Sequence, residues 1–217
     1  MIDNDLRLCY VFVGSSKLTV ATVMEEYNHA MKDQDEFIRA NATNAAHFLN
    51  RGLTYAAEHQ YDAAIQDYNQ SILLNPSLAE AFAARGAAYG DTGQYDRAIK
   101  DLDQAVGLNP NLSKAFGQRG KAYLFKGLYD RAIQDFDRAI QLDPNDADAL
   151  NSRAAAYAEK GQYDRARYDS DEALRLDPNF AEAYYNRGLA FRALGQLTRA
   201  AADLERANQL NARLVPP

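Results

Sequence analysis

From residue 79 onward, apolar and small side chains recur three or four positions apart. Phe82, Gly86 and Tyr89 share one face of a predicted helix with Arg85 beside them. Gly93-Gln94-Tyr95 ends that helix, glycine being favoured just past a helix terminus because it accepts positive φ. Asp96 then opens a second helix, where a carboxylate meets free N–H groups. Ala98, Leu102 and Ala105 form its buried stripe, and Asn109-Pro110 stops it. The spacing predicts two antiparallel helices and a turn.

The same text is written several times. Pro76, Pro110, Pro144 and Pro178 close successive units, and Ala64, Ala98, Ala132, Ala166 and Ala200 occupy one position of the second helix. Gly52, Gly86, Gly120 and Gly188 lie mid-helix, where glycine costs about 1 kcal/mol relative to alanine. That cost predicts close approach of a neighbouring helix. Phe48, Phe82, Phe116 and Tyr184 form one aromatic series, with Leu150 in the fourth place; Tyr55, Tyr89, Tyr123, Tyr157 and Phe191 form another. At helical spacing and in every unit, these are core positions.

This pattern resembles the tetratricopeptide repeat family. The units are 45–78, 79–112, 113–146, 147–180 and 181–214, preceded by an N-terminal extension at 1–44 and followed by a tail at 215–217. The resemblance implies an all-α fold, a right-handed α-solenoid of antiparallel helix pairs. First helices would line a concave groove and second helices a convex back. It also implies a protein-interaction module.

Two units depart from the pattern. The fourth has Ala154 for glycine, and Arg167 and Ser170 where earlier units are apolar, so its second helix offers a less apolar face to the fifth. The fifth has Ala212 in place of proline, which predicts that its last helix runs on toward Leu214. No polar capping helix follows; the alanine-rich last helix caps itself, or another subunit or segment covers it. Before the repeats, Leu18 to about Ala40 reads as an amphipathic capping helix, and residues 1–17 as a short strand, a docked extension or a disordered tail.

Composition narrows the function. The net charge of −6 argues against a surface built for phosphate, hence against nucleic acid as a partner. A single cysteine, Cys9, cannot form an internal disulfide, and no stretch is long and apolar enough to span a membrane. The run Leu8 to Val13 is too short for a signal-peptide core. A cytoplasmic location follows, or a periplasmic or exported one if a leader has been cleaved.

Candidate chemistry is sparse. Arg51 with Asp67, Arg85 with Asp101, Arg119 with Asp135, Arg153 with Asp169 and Arg187 with Asp203 recur in register. Five copies read as structural ion pairs within or across units, not as a catalytic pair. Glu26-x-x-His29 has half the spacing of a carboxylate metal site, but no second such pair exists. No phosphate loop or nucleophile elbow is present. No catalytic residue, metal or cofactor is expected.

The groove is where ligand contacts are expected. Corresponding positions read Asn50, Ala84, Gln118, Ser152 and Asn186, an interrupted amide series suited to peptide backbone; an ordinary exposed polar face accounts for it equally. Asn151 lies beside it. Lys114 and Lys121, beside Phe125, form a cationic centre for an acidic or C-terminal carboxylate, with Tyr185 as an aromatic anchor and Arg192 nearby. The family's two-carboxylate clamp is not matched, because Leu49 and Leu53 stand where it requires lysine and asparagine. The expected function is a non-catalytic scaffold that binds an extended peptide of a partner protein. Alternatives are a self-assembling structural protein or the regulatory domain of an enzyme complex.

Overall fold

The computed structural model describes residues 10–13, 16–19 and 44–211. Its helices alternate between two fixed lengths. The first helices of the units are α1 (Ala45–Ala57), α3 (Ala79–Asp91), α5 (Ser113–Phe125), α7 (Ala147–Glu159) and α9 (Ala181–Ala193). The second helices are α2 (Tyr61–Leu74), α4 (Tyr95–Leu108), α6 (Tyr129–Leu142), α8 (Tyr163–Leu176) and α10 (Leu197–Leu210). Helices of 13 and 14 residues are marginal alone in water, so their stability comes from stacking. Each odd-numbered helix packs on its own partner and on the next odd-numbered helix, whereas successive even-numbered helices share no comparable contact. The odd set therefore lies on the inner arc of an α-solenoid.

Two local devices set the repeat. Between the helices of a unit the chain turns through positive φ, at Gly93 (75°), Gly127 (72°), Gly161 (72°) and Gly195 (76°). The first unit makes the same turn without glycine, at His59 (φ 59°), whose Nδ1 is 3.0 Å from the Tyr61 hydroxyl. Between units, Asn75, Asn109, Asp143 and Asp177 adopt the extended backbone required before proline. Each side chain accepts the N–H two residues on, at 2.9–3.1 Å.

That second device corrects one expectation. Asn211 takes the same extended conformation (φ −150°, ψ 96°) although Ala212 follows, so α10 ends at Leu210 and not near Leu214. Where earlier units turn Ile65, Ile99, Ile133 or Ile140 toward the next pair, α10 presents exposed Ala201 and Asn208. The outer face of the last described helix presents these small and polar residues together with Leu197, 66% exposed.

The glycine positions are the closest helix contacts. A Cβ on Gly86 would lie 2.7 Å from Leu102 Cγ, and one on Gly120 2.7 Å from Phe136 Cε1. The fourth unit makes the reciprocal choice. Ala154 supplies the methyl group, and Ser170 replaces the large side chain opposite; both are fully buried. A smaller residue on α8 thus matches a larger one on α7. The α8–α9 junction, which the apolar deficit of α8 called into question, packs through Leu150, Ala173, Leu174 and Ala183. The Ser170 hydroxyl has no hydrogen-bond partner among the described residues.

Arginine and aspartate tie the helices together in a continuous ladder. Arg119 Nε and Nη2 donate to the two Asp135 oxygens, each at 2.7 Å, across α5 and α6. Its Nη1 donates to Asp103 of the preceding unit, also at 2.7 Å. Arg153 repeats this with Asp169 and Asp137, and Arg187 with Asp203 and Asp171. In the second unit Asn69 takes the cross-unit place, accepting from Arg85 at 2.6 Å. Hydrogen bonds donated to Asp135 and Asp203 raise the pKa of Arg119 and Arg187, despite their partial burial. Each guanidinium also lies over an aromatic ring, Arg119 at 5.4 Å from the Phe116 centroid.

The N-terminal hairpin stands apart from this helical logic. Strand β1 (Tyr10–Val13) pairs antiparallel with β2 (Ser16–Thr19), Tyr10 opposite Thr19 and Val13 opposite Ser16. Leu18 and Thr19, expected to begin a capping helix, belong to β2. The remainder of that expected helix lies outside the described residues, as do the tail at 215–217 and Cys9.

Two stability outcomes follow from these contacts. Ser170→Leu alone should cost about 1–3 kcal/mol by overpacking against Ala154, and Ala154→Gly alone about 1 kcal/mol. Combined, they restore the arrangement of the second unit, so a urea-denaturation cycle should show favourable coupling of about 1 kcal/mol or more. Arg119→Ala leaves a buried Asp135 carboxylate uncompensated and should cost about 3–5 kcal/mol. The pair Arg119→Met with Asp135→Leu should cost clearly less in the same assay.

Candidate functional site: the concave trough

The ladder draws the recurrent arginines of the odd-numbered helices toward the even-numbered ones. What remains on the inner arc is a row of small and aliphatic side chains. Between α1, α3 and α5 they enclose an apolar depression of about 370 Å³, lined by Leu49, Leu53, Ala83, Ala84, Ala87 and Leu112. Leu53 is 48% exposed there. Glu80, Lys114 and Gln118 form the rim.

A second depression of about 560 Å³ continues from the same rim. Lys114, Gly117, Gln118 and Lys121 of α5 form one wall. Asp143, Asp146 and Asp148, from the α6–α7 loop and the start of α7, form the other. Lys114 and Gln118 border both hollows, so the two lie side by side along a trough that spans four odd-numbered helices. Two of the three aspartates are engaged locally: Asp143 accepts from the Asn145 N–H at 3.1 Å, and Asp146 caps α7 by accepting from the Ala149 N–H at 2.9 Å. Asp148 lies in the first turn of α7, where the helix dipole favours its negative charge. Lys114, Lys121 and Asp148 form no ion pair among the described residues.

The structure separates residues that the sequence reading grouped. Lys114, Gln118 and Lys121 line one wall of the second depression. Phe125 does not join them: 67% exposed, it stacks on Tyr95 with ring centroids 5.2 Å apart and planes 9° apart. The adjacent Lys126 pairs with Asp96, which holds this contact at the turn edge. Asn151 is 8% exposed and accepts a 2.8 Å hydrogen bond from Asn186 Nδ2, so these two amides are joined to each other across α7 and α9. Asn50 and Arg192 are exposed and Tyr185 is half-buried, and none of the three lines either depression.

The aspartate wall and the apolar hollow were absent from the expected binding set. Leu49 and Leu53 were legible as groove residues, but a hollow needs the alanines of the next unit to give it depth. Asp143 and Asp146 sit in an inter-unit loop, and only the stacking angle brings them opposite α5. Among the described residues no cluster of three or more histidine, cysteine or acidic side chains could hold a metal. No described helix is long and apolar enough to cross a membrane.

Comparison with known proteins agrees with this architecture. Sequence profiles described as "TPR repeat" match residues 52–93, 120–161 and 155–195, and profiles described as "Tetratricopeptide repeat" match 79–112 and 181–213. The chain belongs to the tetratricopeptide repeat family. Its fold is similar to that of MamA (25% identity, TM-score 0.64, covering 78% of this chain and 92% of that one). It is also similar to YrrB, described as a TPR protein with an unusual peptide-binding site (21% identity, TM-score 0.64, covering 82% and 92%). MamA from Desulfovibrio magneticus RS-1 aligns with a TM-score of 0.67 at 20% identity, covering 78% and 96%. No curated protein matches in sequence.

Proposed function

We propose that this tetratricopeptide repeat protein is a non-catalytic scaffold that holds an extended segment of a partner protein in its concave trough. The observation that carries the reading is the adjacency of the two hollows, which share Lys114 and Gln118 at their common rim. A trough crossing four helices, each about 8–10 Å from the next, has the length of an extended segment and not of a small molecule. The apolar hollow supplies a desolvated anchor point, the kind of contact that dominates recognition energetics. MamA and YrrB belong to the same fold, and the description of YrrB names a peptide-binding site.

The rest of the molecule favours a different protein as occupant over end-to-end assembly. The face of α10 that would receive a further helix pair presents Ala201 and Asn208, where the first three units carry isoleucine or valine, and Leu197 is its one large exposed apolar side chain among the described residues. The polar ladder groups are consumed by one another, and none is aimed into the trough.

The test compares faces. Leu53→Glu puts a charge into the apolar hollow at an already exposed position, and Tyr168→Ala alters a residue 60% exposed on α8. Both variants should keep the helical circular dichroism of the parent. Partner proteins retained from native lysate by the intact chain should fall about tenfold or more with Leu53→Glu, a loss of at least ~1.4 kcal/mol, and stay unchanged with Tyr168→Ala. Retention lost only with Tyr168→Ala would move recognition to the convex back.

A further inference from the structure

The trough carries an ordered pattern of chemistry that an identical repeat would not have. At one rim position the five units read Ala46, Glu80, Lys114, Asp148 and Glu182; at another, Leu53, Ala87, Lys121, Ala155 and Leu189. Both lysines fall in the third unit, flanked by acids in the second and fourth. Following the trough from α1 to α7, the surface is therefore apolar, then cationic, then anionic.

The charges at these places are available. Lys114 is exposed and Lys121 half-buried, both without an ion-pair partner among the described residues. Asp148 is likewise exposed and unpaired, while Asp143 and Asp146 already accept backbone hydrogen bonds. Glu80 at the apolar rim disfavours an acidic ligand residue there, so a ligand's acid is steered to the lysines. Like charges placed opposite one another cost affinity, which makes such an array select register as well as sequence.

Taking the trough as the partner site, as proposed above, we infer that it selects an extended segment of apolar–acidic–basic order. The apolar side chain fills the hollow lined by Leu49, Leu53 and Ala87. The acidic one meets Lys114 and Lys121, and the basic one meets Asp148. Neighbouring odd-numbered helices are about 8–10 Å apart and an extended chain advances about 3.3 Å per residue. The three recognition residues are thus spaced about three apart.

A degenerate nonapeptide library selected on the immobilised full chain tests this. The expected enrichment is an apolar residue, an acid about three positions away and a lysine or arginine about three further. A representative enriched peptide should bind about tenfold more tightly than the same peptide with its acid and base exchanged. Lys114→Glu with Lys121→Glu should reverse the middle preference, enriching a base where the parent enriches an acid; a merely damaged trough would lose enrichment without gaining a new one. Enrichment without the ordered charges, unchanged enrichment on the double variant, or no enrichment overturns the inference. Leu53→Glu separates the two levels: if it abolishes selection of unordered peptides, the trough still binds partners and only the charge order is wrong. If selection survives Leu53→Glu, the trough reading itself fails.

Discussion

The bidentate contact between arginine on the first helix and aspartate on the second is the constraint on which this solenoid depends. Two parallel N–H···O bonds fix the mutual orientation of the two side chains, and hence the rotation of one helix about the other. The third donor of the same guanidinium reaches back to the preceding unit, so one side chain sets the geometry within a repeat and between repeats. The aspartates at 135 and 137 show the economy of this arrangement: one serves its own unit and the other the next. Buried ion pairs add little net stability compared with apolar packing, but removing one partner is severe. The ladder therefore specifies how the helices stack, while alanine and aromatic burial drives them together.

Fixing the stacking leaves little freedom in the core, and the fourth unit shows how variation survives under that constraint. Glycine opposite a large side chain becomes Ala154 opposite Ser170, a redistribution of volume across one contact. The ladder passes through this unit undisturbed, with Arg153 holding Asp169 and Asp137. The backbone path, and with it the inner arc, is conserved although the local packing is not.

Much of this was readable before any coordinates. A strict interval of prolines, mid-helix glycines and paired Arg and Asp can satisfy their costs only by stacking, so the helix pairs and the ladder follow from spacing. The misplaced features are those set by neighbours that spacing does not reveal. Asn211 takes the extended backbone that ends α10 although alanine, not proline, follows it. Phe125 leaves the lysine centre for Tyr95, a ring contributed by the preceding unit. Asn151 and Asn186 bind each other across a unit boundary, where a repeat alignment places them as separate positions. Two of the three aspartates facing Lys114 and Lys121, Asp143 and Asp146, come from an inter-unit loop, where repeat spacing signals only a turn.

The functional consequence is a division of labour between faces. The ladder and the core absorb nearly all recurrent side chains, and the non-recurrent ones at the concave rim are left to distinguish one ligand from another. A photo-reactive amino acid placed at Ala87, inside the hollow, or at Gln134, exposed on the back of α6, tests that division directly in the presence of native lysate. Covalent partner adducts at Ala87 and none at Gln134 are the predicted result. Adducts confined to Gln134 would contradict the account.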